Sequence, residues 1–164
     1  MKQLLTILCL TLVSSYSYSH KVSTDKCYQY TDGICYEPNS RKPFTGTYTH
    51  YYENGQLERR GNYKEGKEDG MWEGFYENGQ LNWRENYKDG VQDGPWEWFY
   101  ENGELMTRAT FINGKKEGLL ESFHSNGQLQ MTENYKDNEL DGLVEEFDEN
   151  GELSLREYYK DGVL

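Results

Sequence analysis

The chain has 164 residues, room for one or two small domains, and its 29 Asp and Glu against 17 Lys and Arg give a formal net charge of −12. That excess argues against binding a nucleic-acid backbone or docking on an anionic membrane surface, both of which need clustered Lys and Arg, and it favours a cationic partner. Ile, Leu, Val and Phe supply only 23 of the 145 residues beyond position 19, a disorder-like composition opposed by 13 Tyr and 4 Trp, and a single alanine, Ala109, argues against a helical protein.

The N-terminus reads as an export signal. Met1, Lys2 and Gln3 make a short positive start, Leu4 to Val13 is an apolar run, and Ser17-Tyr18-Ser19 offers small residues for a signal peptidase. The run is too short to span a bilayer. Cleavage is expected after Ser19, which makes residues 1–19 a signal peptide and places the protein in the periplasm or outside the cell. Thr6-Ile7-Leu8 before Cys9 is too bulky for a lipid-attachment site. Cys27 and Cys35 then remain, an even pair in an exported chain, read as a disulfide with two free thiols as the alternative.

Residues 20–45 form an N-terminal cap that holds both cysteines and leads through Lys42-Pro43-Phe44 into the first repeat. Beyond it one unit recurs five times, at 46–69, 70–93, 94–117, 118–141 and 142–164. Asn-Gly stands at Asn54-Gly55, Asn78-Gly79, Asn102-Gly103, Asn126-Gly127 and Asn150-Gly151, always 24 residues apart. Gly46, Gly70, Gly94, Gly118 and Gly142 keep the same period, as do Leu57, Leu81, Leu105, Leu129 and Leu153. So do Tyr51, Phe75, Phe99, Phe123 and Phe147, and again Tyr63, Tyr87, Phe111, Tyr135 and Tyr159. A fixed period of this length means a repeat architecture.

Each unit reads as a β-hairpin. In the second copy Met71–Tyr76 is an aromatic strand, Asn78-Gly79 supplies a type I′ turn, and Leu81–Tyr87 is the return strand. The expected fold is therefore all-β, one antiparallel meander of about ten strands, close to 50 Å long at roughly 4.8 Å per strand. A two-residue turn pairs Tyr76 with Leu81, Phe75 with Asn82, Gly74 with Trp83 and Glu73 with Arg84. The Glu–Arg pairing recurs at Glu97–Arg108 and Glu145–Arg156, and no like-charge pair replaces it at Thr49–Arg60 or Glu121–Thr132. This register gathers Trp72, Tyr76, Leu81, Trp83 and Tyr87 on one face and leaves Phe75 among Glu and Arg on the other. At the C-terminus the last strand is expected either to be short and twisted or to meet another chain, a site of self-association.

Little in the chain points to catalysis. His50 and His124 replace Gly, Trp or Tyr at hairpin positions, and no Ser or Cys recurs with His20, His50 or His124 at a useful spacing. There is no phosphate-binding glycine loop and no zinc pattern, so no cofactor or metal is expected. Asp137-Asn138-Glu139-Leu140-Asp141-Gly142 imitates a calcium loop, but strands flank it and the repeat itself produces the spacing, so it reads as a solvated acidic loop. The binding candidates are Trp72, Trp83, Trp96 and Trp98, which share one face, with Tyr76 and Tyr100 beside them. They are either the core of a curled sheet or an exposed platform for a partner or a glycan.

The unit Gly-x-Trp-x-x-Phe-Tyr-x-Asn-Gly-x-Leu followed by Tyr-Lys-Asp-Gly resembles the bacterial variant of the MORN repeat, which fills proteins similar to the YwqK-type antitoxins. The resemblance covers residues 46–164 and extends into the cap from about residue 30. It implies a non-enzymatic binding scaffold, often the antitoxin of a toxin–antitoxin pair. An export signal departs from an antitoxin that works in the cytoplasm and fits an immunity protein guarding the envelope. The reading is an exported repeat protein that masks a protein partner such as a basic toxin. The rival readings are an envelope structural or adhesion-accessory module, and a carbohydrate or peptidoglycan binder acting through a tryptophan strip.

Overall fold

The computed structural model describes residues 27–29 and 33–164; the expected signal segment lies outside them. Every described element is a strand. A two-stranded ribbon pairs β1 (Tyr28–Gln29) with β2 (Cys35–Tyr36). The remaining thirteen strands form one antiparallel sheet: β3 (Gly46–Tyr51), β4 (Leu57–Lys64), β5 (Lys67–Glu68), β6 (Gly70–Phe75), β7 (Leu81–Lys88), β8 (Val91–Phe99), β9 (Leu105–Ile112), β10 (Lys115–Lys116), β11 (Gly118–Phe123), β12 (Leu129–Lys136), β13 (Glu139–Leu140), β14 (Gly142–Phe147) and β15 (Leu153–Tyr159). Ten of them lie side by side in chain order. The two-residue strands β5, β10 and β13 start the strand that β6, β11 and β14 continue, and β8 runs through the same stretch unbroken. The meander of five hairpins is therefore the fold, and no described helix is long and apolar enough to cross a membrane.

The type I′ turn expected at Asn-Gly is found instead at the opposite rim of the sheet. At Asn78-Gly79 only the glycine takes a positive φ, of 85°, as the glycine does in each of the five copies. Gly79 N–H donates to Tyr76 O at 2.8 Å and Tyr76 N–H to Gln80 O at 2.8 Å. The loop thus has three residues, a type I turn whose last position is a left-handed glycine. The type I′ turns lie at the opposite rim, where Asp89 (φ 52°) and Gly90 (φ 83°) are both left-handed, as are Glu65-Gly66, Asn113-Gly114, Asp137-Asn138 and Asp161-Gly162.

The longer Asn-Gly loop moves the first pairs by one residue, so Leu81 opposes Phe75 rather than Tyr76. A β-bulge at Asn82 restores the count at the next pair. Gly74 opposes Trp83, Glu73 opposes Arg84 and Trp72 opposes Glu85, as the expected register has it. The same shift recurs in all five hairpins, and Glu97–Arg108, Glu145–Arg156, Thr49–Arg60 and Glu121–Thr132 are all direct pairs.

Each hairpin is tied to the next at both rims. Tyr52, Tyr76 and Tyr100 donate their hydroxyls to the carbonyls of Phe75, Phe99 and Phe123 at 2.6–2.8 Å, and His124 Nε2 stands 3.0 Å from Phe147 O in the same role. Asp148 occupies this column in the fifth copy. Its carboxylate instead accepts the N–H groups of Asn150 and Glu152 in its own turn, which holds its pKa below the usual range. At the other rim Gly90, Gly114, Asn138 and Gly162 donate N–H to the carbonyls of Glu68, Gln92, Lys116 and Leu140. The N-terminal segment docks into this row. Gly66 N–H donates to Phe44 O at 2.7 Å and Cys35 N–H to Gly66 O at 2.8 Å. Buried Cys35 sits 5.4 Å from Cys27 between Cα atoms, a separation a disulfide spans.

Candidate functional site

Alternation along the strands gives the sheet two faces with different chemistry. One carries a ladder of ions. Glu73 accepts from Arg60 at 2.7 Å and Arg84 at 3.3 Å, and Arg84 continues to Glu97 at 3.3 Å. Arg108 reaches forward to Glu121 of the next hairpin instead of back to Glu97, while Arg156 and Glu145 pair within theirs. Guanidinium groups lie over the rings of Phe75 and Phe123 at 5.5 and 5.7 Å, so Phe75 stands among Glu and Arg as expected. Beside the ion row, Met71, Leu119 and Leu143 are exposed, opposite Asn86, Asn134 and Tyr158.

The other face carries the aromatic rings. Trp72 is 2% exposed. Its indole covers Gly61 on the neighbouring strand, where any side chain would overlap it. It meets Tyr63 at 5.0 Å and Tyr48 at 5.7 Å and donates Nε1–H to Asn62 O at 3.2 Å. Trp83 lies over Gly74 in the same way and pairs with Trp98 across β7 and β8. Trp96 lies between Trp98, tilted at 5.9 Å, and Phe111, edge-on at 6.0 Å. Trp83, Trp96 and Trp98 stay half-buried, with no second layer over them among the described residues. Trp98 Nε1 is enclosed without a hydrogen-bond partner.

The six expected binding residues therefore separate. Trp72 is core. Tyr76 and Tyr100 sit at the Asn-Gly rim with their hydroxyls committed to the next hairpin. Trp83, Trp96 and Trp98 remain together as a half-exposed cluster. Beside them lies a residue that the sequence did not single out, Glu85. It accepts from Trp96 Nε1 at 3.0 Å, from Gln92 Nε2 at 3.3 Å and from the Tyr87 hydroxyl. Glu68 lies on the same face; burial, then the neighbouring Glu85, raise its carboxyl above the usual value. Burial and Glu68 push the Tyr63 phenol up to about 12, and burial and Glu85 raise Tyr87 as well, so both phenols stay protonated.

No group of three or more His, Cys, Asp or Glu converges as a metal site among the described residues. At the calcium-like stretch Asp137 pairs with Lys115 at 2.8 Å and its N–H donates to Glu117 at 2.9 Å.

A comparison with curated proteins gives no match. Among solved structures, the crystal structure of the GtfA/B complex bound to UDP and GlcNAc is similar at 13% identity and a TM-score of 0.28, over 75% of this chain and 25% of that one. This chain thus spans about a quarter of that structure's length, and a likeness this distant carries no argument. Residues 44–65, 68–89, 92–113, 116–137 and 140–161 each match the family model described as MORN repeat variant. Repeats of this kind are non-catalytic modules that generally bind proteins or membranes. The matched segments fill well over half of the 164 residues, and the chain belongs to the MORN repeat variant family.

Proposed function

We propose that this protein is an exported scaffold of the antitoxin or immunity type, similar to the YwqK-type antitoxins, which masks a basic partner protein through its ring face. The observation that carries the reading is the cluster of Trp83, Trp96 and Trp98, half-buried side by side on a face without a covering layer. Tryptophan dominates interface energy because a large rigid ring loses much water at little entropic cost. The net charge of −12 speeds the approach of a basic partner. Export rests on the first 19 residues, and an exported protector would act in the envelope.

The test is affinity capture from the organism's own cells. The intact protein should retain one partner, and that partner produced alone should arrest growth. Replacing Trp83 and Trp98 with Ala should abolish capture, mainly by faster dissociation, with the fold retained. A collapse of the midpoint would assign both rings to the core and remove the site. Neighbouring half-exposed rings with Glu85 and Tyr87 beside them also suit a sugar, so the second reading is a carbohydrate or peptidoglycan binder. Glycan-array binding lost in the same double variant would favour it over the first.

A further inference from the structure

The ring face contains the same local arrangement twice, with one decisive difference. By the bounds of the matched segments, with 68–89 the second copy and 116–137 the fourth, Lys116 Nζ of the fourth copy lies 4.1 Å from the centroid of the Tyr135 ring, and the Tyr135 hydroxyl donates to Glu133 at 3.3 Å. An ammonium group on an aromatic face is attracted by the ring's quadrupole, and a carboxylate alongside adds to the attraction. Forty-eight residues earlier, two periods of the repeat, the equivalent positions hold Glu68, Tyr87 and Glu85. The backbone is superposable in register: Glu68 opposes Tyr63 as Lys116 opposes Phe111. Tyr87 again donates its hydroxyl to the carboxylate two residues before it. Where the fourth copy supplies its own cation, the second supplies another carboxylate.

Neither Glu68 nor Glu85 takes part in an ion pair among the described residues. Arg59, whose field reaches Glu68, is engaged elsewhere: it lies 5.2 Å over the Tyr48 ring and donates to the Tyr48 hydroxyl at 3.1 Å. The three groups around Glu85 are neutral donors, which orient the carboxylate without discharging it. Trp96 adds an indole, the best of the aromatic faces for a cation, where the fourth-copy arrangement has Val144 in the corresponding column.

We infer that Glu68, Glu85, Tyr87 and Trp96 form a receptor for a single cationic side chain of the partner, a lysine or arginine held between two carboxylates and against the rings. This rests on the ring face being the partner-binding face proposed above, and it adds what that proposal lacks, the chemical group recognised and the residues that recognise it. Lys116 on Tyr135 is the internal version of the same contact.

The probe is acetyl-hexa-arginine amide, titrated into the purified protein and followed by tryptophan fluorescence. Two double variants remove the same two charges: Glu68→Gln with Glu85→Gln at the receptor, and Glu133→Gln with Glu157→Gln farther along the same face. The first should weaken binding about tenfold or more and the second by less than about twofold. Equal losses in both would reduce the attraction to net charge and overturn the inference, as would no loss in the first. Glu68→Lys rebuilds the fourth-copy arrangement and should fill the site from within, abolishing peptide binding at an unchanged thermal midpoint. It also carries the test if the double variant fails to fold. If the natural partner is still captured by Glu68→Lys yet lost with Trp83→Ala and Trp98→Ala, the receptor is wrong and the ring face still binds.

Discussion

Met71 and Trp72 are neighbours in the chain and opposites in environment: one is 49% exposed on the ionic face, the other 2% exposed on the ring face. The same strands thus build one face from paired ions and another from rings that pack on one another and cover the backbone. A single-layer sheet has no opposing layer to bury its side chains. It can make a core only by folding large side chains over small ones, and Trp72 over Gly61 does this. The ionic face needs no such cover, because Arg60, Arg84 and Arg108 reach across strands and satisfy its carboxylates, the buried Glu73 included. The two faces should therefore respond to mutation by different mechanisms and on different scales.

The largest contrast is between those two neighbours. Trp72→Ala should cost about 3–5 kcal/mol, the usual range for deleting a buried aromatic side chain. The first two hairpins should lose their packing, because Tyr48 and Tyr63 both rest on that indole. Met71→Ala should change stability by less than about 0.5 kcal/mol. Urea unfolding of both variants measures the difference, and equal midpoints would mean that the ring face is not the core.

The next contrast lies within the ionic face. Glu73 is 9% exposed and holds two guanidinium groups, whereas Arg156 is an exposed member of a simple pair with Glu145. Glu73→Gln should cost about 1–3 kcal/mol, since charged hydrogen bonds to a desolvated carboxylate are lost. Arg156→Gln should cost no more than a few tenths. Half-molar salt should erase the second effect and leave most of the first. Thermal midpoints at two ionic strengths read this directly.

The period and the central register are legible in the sequence because each column repeats five times, and the Glu73–Arg84 type of pair fixes which residues face each other. The turn type is less legible. Asn-Gly suits both a type I′ turn and the last two positions of a three-residue loop, since either needs a left-handed glycine. The bulge at Asn82 then cancels the one-residue difference, so the central pairs come out the same from a different loop. The carbonyls that receive the tyrosine hydroxyls leave no trace in the sequence, although the Tyr52, Tyr76, Tyr100, His124, Asp148 column is polar throughout. The burial of Trp72 does have a signal. Gly61 is the only glycine in a column otherwise filled by Glu85, Ala109, Glu133 and Glu157, and a glycine inside a strand marks close approach by something large. Glu68 and Glu85 escape notice because each column is read alone; only the pairing of copies two and four exposes the exchange of Lys116 for Glu68.

That exchange gives the smallest and most specific prediction. Burial and the Glu85 charge raise the pKa of Glu68 in the folded protein above the value of 4.5 it has when unfolded. The folded state therefore binds more protons than the unfolded one between those two pKa values, and this group's contribution to stability falls as pH rises through the window. Above the folded pKa the penalty is complete; below the unfolded pKa it is absent. Replacing Glu68 by Gln removes the ionisation and keeps the shape. The variant should be slightly more stable than the parent at pH 7, by less than about 1 kcal/mol because the group is partly solvated. The advantage should vanish below pH 4. The fourth copy supplies the control: Lys116 stands there in place of the second carboxylate, so Glu133→Gln should bring no gain at neutral pH. Thermal midpoints of the three proteins between pH 4 and pH 8 decide it. A flat difference for Glu68→Gln across that range would mean that Glu68 carries no electrostatic strain, and with it would go the reason for the ring face to seek a cation there.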